Sequence, residues 1–494
     1  MVPTILVVLG ATGDLMAKKI VPAVFHLYRE GNLPKQFRLL GVSRRDWHDG
    51  EFRDHVRNIL DVKVPDAAAH DIDAFLKTVT YHKLEFDYID DYHALGDALK
   101  NMDDGWGVCT NKLFYLSVPP QFYGTIFDNL HAGKLTIPCG DEREGWTRIV
   151  VEKPFGSDEK SAKALDAKLA KLFKEEQIYR IDHYLAKDAF QNILAFRFFN
   201  NLFENQWGAK LIESIHVRQL EAVGIEERGD SYDDVGALRD VGQNHLLQMV
   251  ALAAMDKPKD MTAPAIRAAR AAFLTKLEPL RSRAIKTKTF RAQYHGYRTA
   301  KGVASDSVTE TYFRVAFGVA SPRWRGVAFT MESGKRVVDK ESGGRVTEIE
   351  IIFRHPEPCL CPKPSHYKNS LIFRQDPKEG ITLKFWAKKP GLGMELEERT
   401  FELDVHAESG RSRASADYEK LLSDCVMGDQ TLFVSSKEIV AMWRFIDPII
   451  AGWRKGVVPL HRYSPDRSAV VAEAEVTMRT SESSSRRKPG SRSR

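Results

Sequence analysis

Residues 180–188 read RIDHYLAKD, and within them Asp182, His183, Tyr184 and Lys187 set a carboxylate, an imidazole, a phenol and an ammonium inside six positions. The motif closes a short apolar run that reads as a strand, and on an extended strand neighbouring side chains point to opposite faces. Asp182 and His183 are therefore expected apart, with Asp182 left to serve a group from elsewhere in the chain. His183, Tyr184 and Lys187 offer one donor each to a phosphate, the ammonium supplying most of the charge. A partner for Asp182 is on offer in GALRDVGQNH (236–245). Leu238, Val241, His245, Met249 and Leu252 recur at spacings of 3, 4, 4 and 3, which puts His245 on the inward stripe of a helix. Taken alone, an inward histidine is more often a satisfied core residue. Held by a carboxylate, it is a general base poised near neutral pH. Lys153, in VEKPFG (151–156), ends another apolar run, where open α/β sheets bind ligands; a lysine that merely snorkels from a strand end reads the same way.

These groups need elements to carry them. TILVVL (4–9) is a continuous apolar run, as a strand covered on both faces should be. It leads into Gly10-Ala11-Thr12-Gly13-Asp14-Leu15 and then a helical pattern from Leu15 to Glu30. In that setting Gly10 permits a tight turn, Gly13 lets backbone approach a pyrophosphate, and the helix N-terminus attracts its charge. An ordinary glycine turn is the plainer alternative. The next strand, FRLLGVS (37–43), runs into Arg44 and Arg45, whose guanidiniums suit the 2′-phosphate of NADP; Asp46 follows and keeps NAD open. KLFYLSV (112–118), TRIVVEK (147–153) and IYRID continue the alternation, with a helix expected over Ser157–Gln177 and Ser157 as its N-cap. Beyond residue 187 the texture changes. A strand is expected over 214–222, a long helix over 234–255, alternating strands from 305, and a last helical part over 415–453. The fold class is α/β: an N-terminal Rossmann-like, doubly wound dinucleotide-binding domain (1–185), then a larger α+β domain with a big, mostly antiparallel sheet (186–465) and a C-terminal extension (466–494).

Composition bounds the rest. The chain has 494 residues, with 43% hydrophobic and 28% charged side chains, as in globular proteins that bury a core in water. Its net charge of +6 is concentrated: residues 481–494, SESSSRRKPGSRSR, carry five basic groups against one Glu, or +4, leaving +2 for the remainder. That tail has nothing apolar to bury and is expected to be disordered. The body shows no basic stripe, so nucleic acid is not an expected partner. No apolar run reaches the length of a membrane span, and the N-terminus does not read as a signal peptide. Cys109, Cys139, Cys359, Cys361 and Cys425 are scattered without a metal-ligand spacing and are expected as reduced thiols of a cytoplasmic protein.

GATGDL, VEKPFG, RIDHYLAKD, GALRDVGQNH and SGKR, in that order, resemble the glucose-6-phosphate dehydrogenase family, nearly collinearly from about residue 5 to 463. The resemblance implies oxidation of glucose 6-phosphate at C1 to 6-phospho-glucono-1,5-lactone with reduction of NADP, the first step of the pentose phosphate pathway. It implies His245 as proton acceptor, Asp182 as the group orienting it, and His183, Tyr184 and Lys187 as phosphate ligands. Glu221 and Asp240 would bind sugar hydroxyls, Lys335 and Lys340 would complete the sugar site, and Lys153 would sit between sugar and nicotinamide. Residues 10–15, Arg44 and Tyr123 would hold the cofactor, with Asp87 and Tyr88 near its adenine end. No metal is implied, and a homodimer or homotetramer is. The chain departs from the family pattern at Met16-Ala17, at Ala186, at Glu332 (where the family carries an arginine) and after Tyr463. An NADP-dependent dehydrogenase of another aldose, or a dinucleotide-binding scaffold without catalysis, is the competing expectation.

Overall fold

The computed structural model describes residues 2–139, 145–226, 228–355, 358, 360–361, 367–405 and 415–486. By contact density it divides into two compact units. The first is Met1–Ala186 with Asp260–Arg267 and Ser412–Ile439; the second is Lys187–Lys259, Ala268–Arg411 and Val440–Arg494. In the sequence the texture changes after residue 187. The return of two short segments to the first unit has no counterpart in it.

The first unit is built on a parallel sheet of β1 (Thr4–Leu9), β2 (Phe37–Ser43), β3 (Val79–Lys83), β4 (Asn111–Leu116), β5 (Thr147–Val151) and β6 (Ile178–Arg180), in the order β3-β2-β1-β4-β5-β6. All six residues of β1 are buried, as the unbroken apolar run requires. Strand order reverses between β1 and β4, the place where doubly wound sheets take a ligand. Two local expectations are corrected. The helix assigned to Ser157–Gln177 runs from Glu159 to Leu172, and its N-cap is Asp158, whose carboxylate accepts the Ser161 amide at 2.7 Å. The helix after the glycine turn opens with a π-helical stretch, Met16–Ile20, before Val21–Arg29, and Met16 is fully buried where the family pattern is smaller.

Cys109 and Cys139 form a disulfide, which corrects the expectation of reduced thiols throughout. Cys361 and Cys425 are free thiols, and Cys359 lies outside the described residues.

The second unit carries a nine-stranded sheet of β7 (Ile212–Glu221), β8 (Thr289–Tyr294), β9 (Tyr312–Phe317), β10 (Ala328–Lys335), β11 (Val346–Phe353), β12 (Ser370–Asp376), β13 (Gly380–Lys388), β14 (Leu396–Asp404) and β15 (Leu460–Tyr463). Their order is β14-β13-β12-β11-β7-β10-β9-β8-β15. Only the β7–β10 and β8–β15 pairs are parallel. The outermost strand, β14, is exposed along most of its length. The long helix expected over 234–255 is present from Leu238 to Ala254, but its first nine residues, Leu238–Leu246, wind as a π-helix. The disorder expected of residues 481–494 is corrected in part, since residues 481–486 continue a helix that begins at Ala469. Ala469–Arg486 is helical, and its Val470 and Ala474 are buried in a cluster with Tyr294, Tyr297 and Tyr463. Residues 487–494 of the tail lie outside the described residues.

Candidate active site

In the first unit the glycine turn lies at the carboxyl ends of β1, β2 and β4. Gly10 has φ +86°, its amide donates to the Val42 carbonyl at 2.8 Å, and the Gly13 amide donates to the Gly10 carbonyl at 3.0 Å. A Cβ on Gly10 would stand 2.3 Å from the Ser117 carbonyl oxygen, so only glycine fits there. The turn is thereby packed closely against the ends of β2 and β4. Thr12, Asp14 and Leu15 are wholly or partly exposed on it, and Ala11 is buried beneath. Arg44 is exposed at the end of β2, while the rival carboxylate of Asp46 pairs with Lys83 at 3.0 Å. Asp87 and Tyr88 are exposed on the turn after β3. Tyr123 is buried instead, its hydroxyl donating to the Glu152 carbonyl at 3.1 Å, so it shapes the strand end that carries Lys153.

Glu152, the acid of the Glu-Lys-Pro (EKP) triplet 152–154, carries no signal of its own in the sequence. Its Oε1 accepts from the Tyr115 hydroxyl at 2.5 Å and the Tyr418 hydroxyl at 3.1 Å. Burial pushes its pKa up against the lowering effect of those two bonds. Lys153 follows directly, ahead of a cis peptide to Pro154.

The strand alternation assumed for RIDHYLAKD ends sooner than expected. β6 stops at Arg180, whose buried guanidinium pairs with Asp166 at 2.7 Å and Glu175 at 3.0 Å. His183–Ala186 then forms a 3₁₀ turn. Asp182 is 2% exposed and caps that turn, its Oδ1 accepting the Tyr184 amide at 3.1 Å. Asp182 and His183 therefore do not alternate across a sheet. Their side-chain ligand atoms come within 4.8 Å of one another. The His183 ring lies 4.8 Å from that of Tyr184 and stacks on that of Tyr418 at 6.4 Å.

In the second unit, Lys187 is the N-cap residue of the helix Asp188–Phe198. The parallel register of β7 and β10 sets Glu221 beside Lys335 at the two strand ends. The Lys335 ammonium, on a residue 5% exposed, pairs with Glu221, lies 3.8 Å from the Asp240 carboxylate and 5.9 Å from the centre of the Tyr232 ring. Asp240 is also 3.7 Å from Arg228. Glu221, Asp240 and Lys335, from three elements, thus form one cluster. Asp240 and His245 are i and i+5 on the π-helix, the spacing of its hydrogen bond, so both project from one side. His245 is 2% exposed, and its amide donates to the Asn244 side-chain oxygen at 2.6 Å. Lys340 stays apart. It is exposed on the turn after β10, and among the described residues no hydrogen bond or ion pair joins it to the cluster.

Glu332, the charge departure, is also away from the cluster. It stands three residues before Lys335, so the pleat turns it to the other face. There it is fully buried, bonded to the Tyr312 hydroxyl and paired with His216 at 3.1 Å and Arg314 at 3.2 Å. His216 and Arg314 hold its pKa down to about 2 against the effect of burial.

Comparison with known proteins agrees along nearly the whole chain. Residues 7–192 match the family described as "Glucose-6-phosphate dehydrogenase, NAD binding domain", and residues 194–484 match "Glucose-6-phosphate dehydrogenase, C-terminal domain". The chain is 35% identical to a glucose-6-phosphate 1-dehydrogenase of Chlamydia pneumoniae, covering 96% of this chain and 94% of that one. It is 38% identical to that of Aggregatibacter actinomycetemcomitans, over 90% of each. A solved glucose-6-phosphate dehydrogenase in complex with glucose 6-phosphate superposes with a TM-score of 0.86 at 31% identity, covering 96% of this chain and 97% of that one.

Proposed function

This chain belongs to the glucose-6-phosphate dehydrogenase family, which oxidises glucose 6-phosphate with NADP, and on that footing we propose that His245 accepts the C1 hydroxyl proton. NADP, when bound, supplies the acceptor for the C1 hydride. Residues 10–15 and Arg44 hold it, with Asp87 and Tyr88 toward the adenine. Asp182 orients the imidazole and balances the charge it gains. His183, Tyr184 and Lys187 hold the 6-phosphate, which is remote from C1 and serves to position it. Glu221, Asp240 and Lys335 receive the sugar hydroxyls, and Lys153 stands between sugar and cofactor. Lys340 is retained from the family pattern alone. The protein is read as a cytoplasmic homodimer or homotetramer on the same basis. No helix among the described residues is long and apolar enough to cross a membrane.

The observation that carries this reading is the Glu221–Lys335–Asp240 cluster with His245 one π-turn from Asp240. A buried ammonium between two carboxylates offers donors and acceptors to a polyol, beside a base for one of its hydroxyls. Absorbance at the reduced-nicotinamide band, with glucose 6-phosphate or glucose and with NADP or NAD, is the test. The expected result is strong preference for glucose 6-phosphate and NADP; equal rates with glucose overturn the phosphate assignment. His245→Asn should still bind both substrates and lose turnover by about 10²-fold or more, as for a missing general base. A near-normal kcat removes His245 from that role.

A further inference from the structure

Lys335 is gripped from behind by Tyr463, at the end of β15, and by the residues that follow it. Its amide donates to the Thr311 carbonyl at 2.8 Å, and its carbonyl accepts the Tyr463 hydroxyl at 2.6 Å. That hydroxyl also lies 2.9 Å from the Thr311 hydroxyl, in a fully buried setting. Three residues on, the Asp466 amide donates to the Arg336 carbonyl at 2.7 Å, and the Arg336 Nε donates to the Asp466 carboxylate at 3.1 Å. The Arg336 and Val337 amides in turn donate to the carbonyls of Val223 and Glu221, both at 3.0 Å.

Two of these residues hold an unfavourable backbone. Arg336 has φ +52° and Asp466 φ +63°, and neither is glycine. Arginine stays in that region only where its surroundings over-determine it, whereas aspartate visits it more readily. Here each supplies the other's restraint, through one backbone bond and one ion pair. Val470 and Ala474 of the following helix pack into the cluster that contains Tyr463, Tyr294 and the Tyr232 ring facing the Lys335 ammonium. The clasp is thereby anchored to the hydrophobic core.

We infer that Tyr463 and Asp466 are positioning residues that fix Lys335 for the sugar phosphate, so that the end of β15 and the first residues of the C-terminal extension set substrate affinity and leave turnover alone. The inference rests on the reading of Lys335 as a substrate-binding group. Removing the Tyr463 hydroxyl leaves a buried carbonyl short of a donor, and the turn at 335–336 relaxes around it. The ammonium then loses its place between Glu221 and Asp240 before substrate arrives.

Steady-state kinetics on the full chain test this with Tyr463→Phe, Asp466→Val and Asp466→Asn. In Tyr463→Phe and Asp466→Val, KM for glucose 6-phosphate should rise about five- to twentyfold, with kcat within about twofold and KM for NADP unchanged, the pattern of binding lost equally from ground and transition states. Asparagine tolerates the left-handed backbone, so Asp466→Asn should recover most of the affinity. Wild-type KM for the sugar in both Tyr463→Phe and Asp466→Val overturns the inference, as does a fall in kcat at constant KM. Tyr463→Phe keeps the ring and its packing and decides the matter if the valine variant does not fold. A wild-type enzyme that fails to oxidise glucose 6-phosphate overturns the functional reading instead, and the two failures are told apart by that control.

Discussion

Glu152 shows how a single carboxyl is held by residues that no local pattern connects to it. Tyr115 lies 37 positions away and Tyr418 lies 266 away, yet both donate to the same oxygen, while Tyr123 holds the carbonyl of the same residue. Burial drives each of the three phenols well above its usual pKa, so all three stay protonated donors. Tyr418→Phe should therefore cost about 1–3 kcal/mol of stability, as expected for a donor lost from a buried carboxyl, and chemical denaturation would read it. A change below about 0.5 kcal/mol would mean that the carboxyl had found another donor. The EKP motif was legible in the sequence; its phenol clamp was not, because long-range pairing leaves no spacing signal. Glu332 carries the converse lesson. Its sign looked wrong for a place next to Lys335, and only the pleat of β10 shows that it faces elsewhere.

At the scale of elements, periodicity found what was apolar and missed what was mixed. β1 and β2 stand where their runs placed them, and β9 to β13 follow the alternation seen from residue 305. β3, β8, β14 and β15 went unread, and β3 and β14 are half polar or largely exposed. The helical part expected over 415–453 consists of two helices. Ala416–Met427 ends at Gly428 in the left-handed conformation, and a second helix begins at Ser436. Asp424 lies in the last turn of the first of these, next to the negative end of the helix dipole, and is buried. Burial raises its pKa to about 6, despite a 2.5 Å bond from Lys420. Because the folded value lies above the ordinary 3.8, the fold disfavours the charged form. No penalty exists below about pH 4; it grows through pH 4–6 and is complete above. Asp424→Asn should thus raise stability by about 1–2 kcal/mol at pH 8 and by nothing near pH 4, measured by urea denaturation at both. Equal effects at the two pH values would reject the assignment.

For the whole molecule, the two-part plan and the family were legible because five motifs recur in order over most of the chain. The segments 260–267 and 412–439 were not, since chain order cannot announce an excursion back to an earlier unit. The disulfide is not legible in the sequence, because neither metal-ligand spacing nor expected compartment bears on two thiols brought together by folding. Cys109 and Cys139 are separated by 30 residues, and closing a loop of that length stabilises a fold by about 3–4 kcal/mol in the chain-entropy picture. Thermal unfolding with and without a dithiol reductant should show a lower midpoint on reduction, and Cys109→Ser should reproduce it without reductant. An unchanged midpoint in both would show that the bridge adds nothing. The border strand β14 governs how such chains behave in a crowd. Its sequence, LEERTFELD, places four acids and one arginine among nine residues. A second copy laid alongside would bring carboxylates against carboxylates, so this rim of the large sheet, outermost among the described strands, is a poor template for fibre growth.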